Sequence, residues 1–308
     1  MPHDHGLHHG HSHAPAANRQ DSAFAIGVAL NSLLVTAQIT VGLMAGSMAL
    51  LADAVHNLGD VLGLLLSWGA NAMGRRPPSA RHTYGWGRSS ILASLANAML
   101  LLISIGAIGV EAVRHLLTPT PVDAVMVAWV AAAGLVVNGA SAALFMRGRA
   151  GDLNLRTAFV HMASDAALSA GVLATALIIR RTGLMWLDPA VSLVIVGVIG
   201  VGTWSLLYEG ANLALDAVPA HLDQARIAGF LAGLPGVVEV HDLHVWALST
   251  TECAVTAHLV QACADDGPMM VCAAVEGLRE HFGIGHATIQ IETCDTAADC
   301  AQRADDVV

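Results

Sequence analysis

Apolar residues fill the first two thirds of the chain in six long runs, over roughly 22–43, 48–73, 91–115, 122–146, 158–179 and 186–207, with short polar breaks between them. Each run supplies the ~20 residues that a helix needs to cross ~30 Å of hydrocarbon. Six transmembrane helices are therefore predicted. The break AGS, 45–47, is short enough to force an antiparallel hairpin between the first two. From about residue 209 the pattern changes. HLDQARIAGFLAGLPG, 221–236, reads as an amphipathic helix stopped by a Pro-Gly turn. VVEVHDLHVWAL and ECAVTAHLV read as two Val-rich strands, GPMMVCAAVEGLREHFG as a second helix, and HATIQIE as a third strand with clean alternation. The order αββαβ describes a small α+β domain in which adjacent strands can pair antiparallel. The tail after Glu292 is acidic and expected to be loosely ordered. The predicted organisation is a His-rich segment at 1–20, an all-α membrane domain at 21–208, a soluble domain at 209–293 and an acidic, Cys-containing tail at 294–308.

Composition supports this division. The 308 residues are 55% hydrophobic and only 12% charged, with mean hydropathy +0.60; a soluble domain carries about twice that charge. The first thirteen residues, MPHDHGLHHGHSH, hold six histidines and lack the basic-then-apolar order of a cleavable signal peptide. Such tracts bind Zn²⁺, Ni²⁺ or Cu²⁺ without defined geometry, and local metal capture is the reading adopted for this one. Charge asymmetry orients the bundle. RRPPSARHTYGWGR, 75–88, carries four arginines and RGRAGDLNLR, 147–156, three more, while the opposite side receives Arg114, Arg180 and Arg181. Seven against three puts both termini in the cytoplasm. The formal charge of −10 says little about partners, because the acids gather near the C-terminus. All five cysteines, Cys253, Cys263, Cys272, Cys294 and Cys300, lie outside the spans at irregular spacing. That fits a reduced cytosolic domain better than a disulfide framework.

Two polar pairs interrupt the apolar runs. VHNLGDVLG, 55–63, sets His56 and Asp60 four residues apart, and VHMASDAAL, 160–168, repeats the spacing with His161 and Asp165. Residues i and i+4 share a helix face. An ionisable side chain at mid-membrane costs several kcal/mol unless paired or solvated. Two imidazoles and two carboxylates from facing helices match the ligands that tetrahedral Zn²⁺ accepts. One such pair would read as a structural hydrogen bond; two at identical spacing read as a metal site. His56 and Asp60 fall mid-span, whereas His161 and Asp165 lie near the end of theirs, so either the helices are offset or the span boundary lies elsewhere. Asp53, one turn before His56, is either an acceptor that orients the histidine or an independent packing carboxylate. Asn31, Gln38, Asn97 and Asn138 read as interhelical hydrogen bonds.

With these residues in place, the chain resembles the cation diffusion facilitator family. The resemblance runs from Asp21 to Glu292 and rests on LLADAVHNLGDVLGL, HMASDAALSAGVL, DPAVSLVI, PGVVEVHDLHVWAL and HATIQIE, in that order. It implies a homodimeric metal-ion/proton antiporter with a ferredoxin-like cytosolic domain, placed here in a bacterial inner membrane. No catalytic residue, resident cofactor or nucleic-acid partner is expected; the partners are divalent metal ions, protons, lipid and a second copy. Members with His–Asp pairs in both helices resemble the zinc-transporting branch, often tolerant of cadmium or cobalt. Chemistry agrees, because imidazole favours Zn²⁺ over harder ions. A histidine binds metal only when deprotonated, so proton entry and zinc exit would compete at the same four residues.

The resemblance also implies a regulatory zinc site in the cytosolic domain, at His241, His258 and Glu292, with His286 and the Cys294/Cys300 pair as further candidates. Gln290 stands where some relatives carry a histidine. His241 and His244 are three apart, so in a regular strand they face opposite ways. Relatives with another zinc site in the 75–88 loop carry an acid and two histidines; here only His82 remains, beside Ser79 and Trp86, and that site is expected to be absent. Arg88 and Asp216 match a charged contact in relatives, the alternative being a positive-inside arginine and a solvated acid. Gln38 replaces an acid found in some members. An intramembrane metallohydrolase would need a motif such as HExxH, which is missing. A zinc-permeable passive channel and a metal-sensing membrane protein stand as alternatives.

Overall fold

The structure, a computed structural model, describes residues 17–146, 153–261, 267–298 and 300–303. The His-rich stretch 1–13, Arg147, Arg149, Cys263 and residues 304–308 of the acidic tail lie outside the described residues. Six long helices come first: α1 (Ala17–Ala45), α2 (Met48–Gly74), α3 (Ser89–Leu117), α4 (Ala124–Met146), α5 (Leu153–Thr182) and α6 (Leu187–Ala214). Among the described residues, five are long and apolar enough to cross a membrane, and α1 adds the apolar stretch Ala29–Ala45. Leu33, Ile103, Trp129, Leu144 and Val201 are exposed on these helices. Such side chains suit hydrocarbon, and helices satisfy their own backbone there.

Two compact units divide the chain. One comprises residues up to Val61 together with Ala107–Val196. Within it α4 and α5 pack along their length and α1 packs on α4. The α1–α2 hairpin turns at Gly46, whose φ of +67° is a conformation glycine adopts without a Cβ penalty. The start of α2 is fastened by Asp188, in the first turn of α6. Its carboxylate accepts from Ser47 Oγ at 2.5 Å and from the Met48 and Ala49 amides at 2.6 and 3.3 Å. Ser192 Oγ donates to the Met48 carbonyl at 3.1 Å. Helix N-termini leave amides unpaired, and here an acid from another helix satisfies two of them.

The second unit comprises Leu62–Gly106 and the chain from Gly197 onward. Its soluble part contains α7 (Gln224–Ala232), β1 (Val237–Ala247), β2 (Cys253–Gln261), α8 (Gly267–Phe282), β3 (His286–Thr293) and the short α9 (Cys294–Ala298). Asp223 caps α7 by accepting from the Ala225 and Arg226 amides. The sheet order is β1-β2-β3. β1 and β2 pair antiparallel, as their short turn requires. β2 and β3, however, pair parallel, which corrects the all-antiparallel expectation. The cause is α8: a strand–helix–strand crossover returns the chain to the same end of the sheet. Val255, Ala257 and Leu259 of central β2 pack with Ile227, Leu231, Ala274 and Leu278 into one core. Alternate residues, His258 among them, face the other side of the sheet.

The described residues of the tail, 294–298 and 300–303, make contacts with the sheet. α9 packs on β2 and β3, with Ala297 buried, and Thr296 Oγ1 accepts from the Thr293 amide at 2.8 Å. Arg303 then forms a two-pronged pair with Glu239, at 3.1 and 2.8 Å. Arg88 and Asp216 do form an ion pair, each about half exposed, and the Thr250 amide donates to Ser90 Oγ at 3.0 Å. His82 stacks on Trp86 with centroids 4.2 Å apart.

Candidate metal centres

Four side chains converge in the membrane domain. His56 and Asp60 project from α2, His161 and Asp165 from α5. His56 Nε2 lies 3.0 Å from Asp165 Oδ1 and 3.9 Å from Asp60 Oδ2. His161 Nε2 lies 3.6 Å from Asp60 Oδ2 and 3.7 Å from Asp165 Oδ2. Each imidazole thus meets both carboxylates, and acids alternate with bases around a ring. One atom each from His56, Asp60 and Asp165 lie within 4.8 Å of one another. His161 completes the ring from its rim, edge-on to His56 with centroids 6.2 Å apart. Burial is graded: the Asp165 side chain is 2% exposed and that of His161 43%. The span boundary of α5 lies earlier than hydropathy placed it. The helix begins at Leu153 and not near 158, so His161 sits in its third turn and not at its first residues.

Beneath the ring lies a polar layer that hydropathy reading left unassembled. Asp53 is fully buried and its Oδ2 accepts from Gln38 Nε2 at 2.6 Å and Ser169 Oγ at 3.3 Å. Gln38 Oε1 accepts from Asn57 Nδ2 at 3.1 Å. Gln38 therefore does make the interhelical hydrogen bonds expected of it. Asp53 Oδ1 and His56 Nδ1 are buried without a hydrogen-bond partner. The signal was present as Asp53 and Asn57 at i and i+4, but nothing in one sequence pairs them with Gln38 and Ser169.

A second cluster forms in the soluble domain. One atom each from His241, His258, Glu292 and Cys300 lie within 4.8 Å of one another. His258 Nδ1 is 3.1 Å from Glu292 Oε1 and 3.7 Å from Cys300 Sγ. His241 Nε2 is 3.3 Å from Glu292 Oε2, yet both atoms lack an aligned hydrogen bond. Gln290, in the place of a histidine, donates to Glu292 Oε1 at 2.7 Å and orients the acid. Buried imidazoles, a carboxylate and a thiol aimed at one point are the donor set that suits Zn²⁺. A hollow of about 390 Å³, bordered by Asp242, His244, His258 and Gln290, reaches the cluster from solvent.

Two sequence expectations about this cluster need correction. His241 and His244 do not face opposite ways. A register shift between them sets His241 opposite His258 and His244 opposite Thr256, positions on one face of β2. The extra residue is Asp242, with φ +51°, a conformation Asp tolerates better than most residues. Its carboxylate lies 2.9 Å from His244 Nε2 and 3.5 Å from His258 Nε2, contacts that the sequence reading missed. Nor do all the candidate ligands meet. His286 is exposed and stands edge-on to Tyr84, while Cys294 is exposed and directs its thiol to the Gln261 carbonyl. Cys253 lies in the core, and burial pushes its thiol above the ordinary range; it is a packing residue.

Apolar helices with acids and imidazoles gathered inside, followed by a small α+β domain, define a membrane transporter of metal cations. The chain belongs to the cation diffusion facilitator family: the cation efflux transmembrane domain matches residues 24–213, and the cytoplasmic domain of cation efflux proteins matches residues 219–294. It is 35% identical over 300 residues to the metal cation efflux system protein CzcD of Cupriavidus metallidurans, covering 96% of this chain and 94% of that one. It is likewise 35% identical over 295 residues to the zinc transporter ZitB of Escherichia coli, covering 95% and 93%. A cadmium, cobalt and zinc/H(+)-K(+) antiporter of Bacillus subtilis is 29% identical over 296 residues, covering 92% of each. The protein is thus a multi-pass cation efflux transporter and not an enzyme.

Proposed function

We propose that the chain exports Zn²⁺ from the cytoplasm in exchange for protons by alternating access, with Cd²⁺ or Co²⁺ as alternative cargo. The observation that carries this is the ring of His56, Asp60, His161 and Asp165, in which every imidazole faces both carboxylates at 3.0–3.9 Å. Two nitrogens and two oxygens suit a borderline ion such as Zn²⁺ over Mg²⁺ or Mn²⁺. The ring can hold either cargo or protons, because imidazole binds metal only when neutral. Protons entering from outside displace the ion, and an ion entering from the cytoplasm displaces protons. The names of ZitB and of the Bacillus antiporter support zinc and proton exchange. The same reading makes the protein a homodimer in a bacterial inner membrane with both termini cytoplasmic, consistent with its seven-to-three arginine asymmetry. His241, His258, Glu292 and Cys300 form its cytosolic regulatory zinc site.

Reconstituted proteoliposomes test the proposal. Zinc uptake should follow an imposed pH gradient and move protons the opposite way, and Asp60→Ala or Asp165→Ala should abolish both fluxes. Near-normal exchange in either variant sinks the four-residue site. Zinc flux indifferent to the gradient would identify a passive channel, and absence of flux a metal sensor.

A further inference from the structure

His56 can offer either ring nitrogen to a metal, and the hydrogen bond made by the other nitrogen decides which. Its Nε2 points into the ring, 3.0 Å from Asp165. Its Nδ1 is buried and unpartnered. One turn earlier on α2, Asp53 is fully buried but only half used: Oδ2 takes both hydrogen bonds, from Gln38 and Ser169, and Oδ1 takes none. A buried polar atom without a partner is costly to keep. Here a donor site and an acceptor site lie at i and i+3 of one helix, where side chains are neighbours.

We propose that Asp53 is a positioning residue for transport: its Oδ1 accepts the Nδ1–H of His56, through one water or a small turn of the side chains, and so leaves Nε2 bare for the metal. The inference rests on the four-residue transport site proposed above. The layer around Asp53 determines its orientation. Gln38 Oε1 is occupied by Asn57, so the Gln38 amide group must present its NH₂ to Asp53. An oxygen of residue 53 is held there, and the second oxygen is left for His56.

This arrangement dictates an unusual mutational pattern. In Asp53→Asn the side-chain oxygen turns to the Gln38 NH₂, and the new amide NH₂ turns toward His56. It then donates to Nδ1 and leaves the proton on Nε2, the nitrogen that must take the metal. Adding Gln38→Glu reverses this. The carboxylate introduced at position 38 accepts from Asn57 and from the amide introduced at position 53, whose oxygen again faces His56. Zinc uptake by proteoliposomes gives KM and maximal rate for wild type, Asp53→Asn, Gln38→Glu/Asp53→Asn and His56→Ala. The expected result is a KM roughly 10–100-fold higher in Asp53→Asn, a typical loss when the partner of a metal-binding histidine is removed, with the maximal rate retained. The double variant should return KM to the wild-type range. An unchanged KM in Asp53→Asn, or a double variant no better than the single, overturns the positioning role. The double variant re-pairs position 53 with position 38 and Asn57, leaving only the Ser169 hydroxyl to turn away, so its KM decides even if the single variant fails to fold. His56→Ala separates the two readings: normal transport there removes the four-residue site itself, whereas loss of transport beside a normal Asp53→Asn removes only Asp53.

Discussion

Removing the Asp188 carboxylate should loosen the N-terminal end of α2 without removing any candidate ligand. Asp188 is buried, and it alone receives the Met48 and Ala49 amides and the Ser47 hydroxyl. Loss of a helix cap costs about 0.5–2 kcal/mol, and each buried donor left stranded about 1–3 kcal/mol. Water entering the space left by Asp188→Ala would rehydrate part of this, so the expected net cost is the lower part of that sum, about 3 kcal/mol. Asp188→Asn keeps one acceptor oxygen and loses the favourable charge at the helix N-terminus, for about 1 kcal/mol. For a unit of this size 1 kcal/mol moves the unfolding midpoint by roughly 2–4 °C. Asp188→Ala should then fall by roughly 10 °C and Asp188→Asn by about 3 °C. The assay is the fraction of detergent-purified protein left in the monodisperse size-exclusion peak after heating. An unchanged midpoint in Asp188→Ala refutes the clamp. An unchanged midpoint with lost zinc binding would place Asp188 on the metal's path instead.

Two further outcomes concern the soluble domain. A Cβ at Gly277 would lie 2.1 Å from the Phe230 ring edge, so Gly277→Ala must displace a ring that also meets His281 and Phe282. Despite a helix-propensity gain of about 1 kcal/mol, hydrogen exchange in α8 should quicken, and Phe230→Leu in the same chain should reverse it; slower exchange in the single variant refutes the steric argument. Cys300→Ser should weaken zinc binding at the cytosolic cluster about 100-fold, taking one ligand of four as about 3 kcal/mol of a ~10–16 kcal/mol site. Titration of full-length protein silenced by Asp60→Ala would show this, with Cys294→Ser and His286→Ala unchanged; equal losses in all three would dissolve the assigned ligand set.

The membrane helices were legible because hydrocarbon imposes one requirement, a long apolar run, that leaves a mark on every residue of the span. The pairs His56/Asp60 and His161/Asp165 stood out against that background for the same reason. Helix ends were less legible. α5 begins in the polar LNLR, since a helix does not stop where hydrophobicity stops. The role of Asp188 was hidden differently. Its position before Pro189 at a helix start suggests a cap for its own helix, whereas the side chain caps α2, a contact between positions 140 residues apart.

In the soluble domain the strands were readable but their faces were not, because parity fails wherever one residue is added. The mark of that addition was a turn-favouring Asp242 inside an otherwise Val-rich strand, and it determines more than register. Without the bulge, His244 would point into the core that Val245 now occupies, and Asp242 could not reach His258 and His244 together. With it, both strands of histidines look onto the face that α9 and the tail cover, where Cys300 closes on His258. Chain folding after β3, and no spacing motif, separates Cys300 from Cys294. The candidate metal site built this way depends on the Asp242 bulge and on the Arg303–Glu239 clasp that holds the tail across it. Loss of either should therefore weaken the site while every ligand remains in the chain.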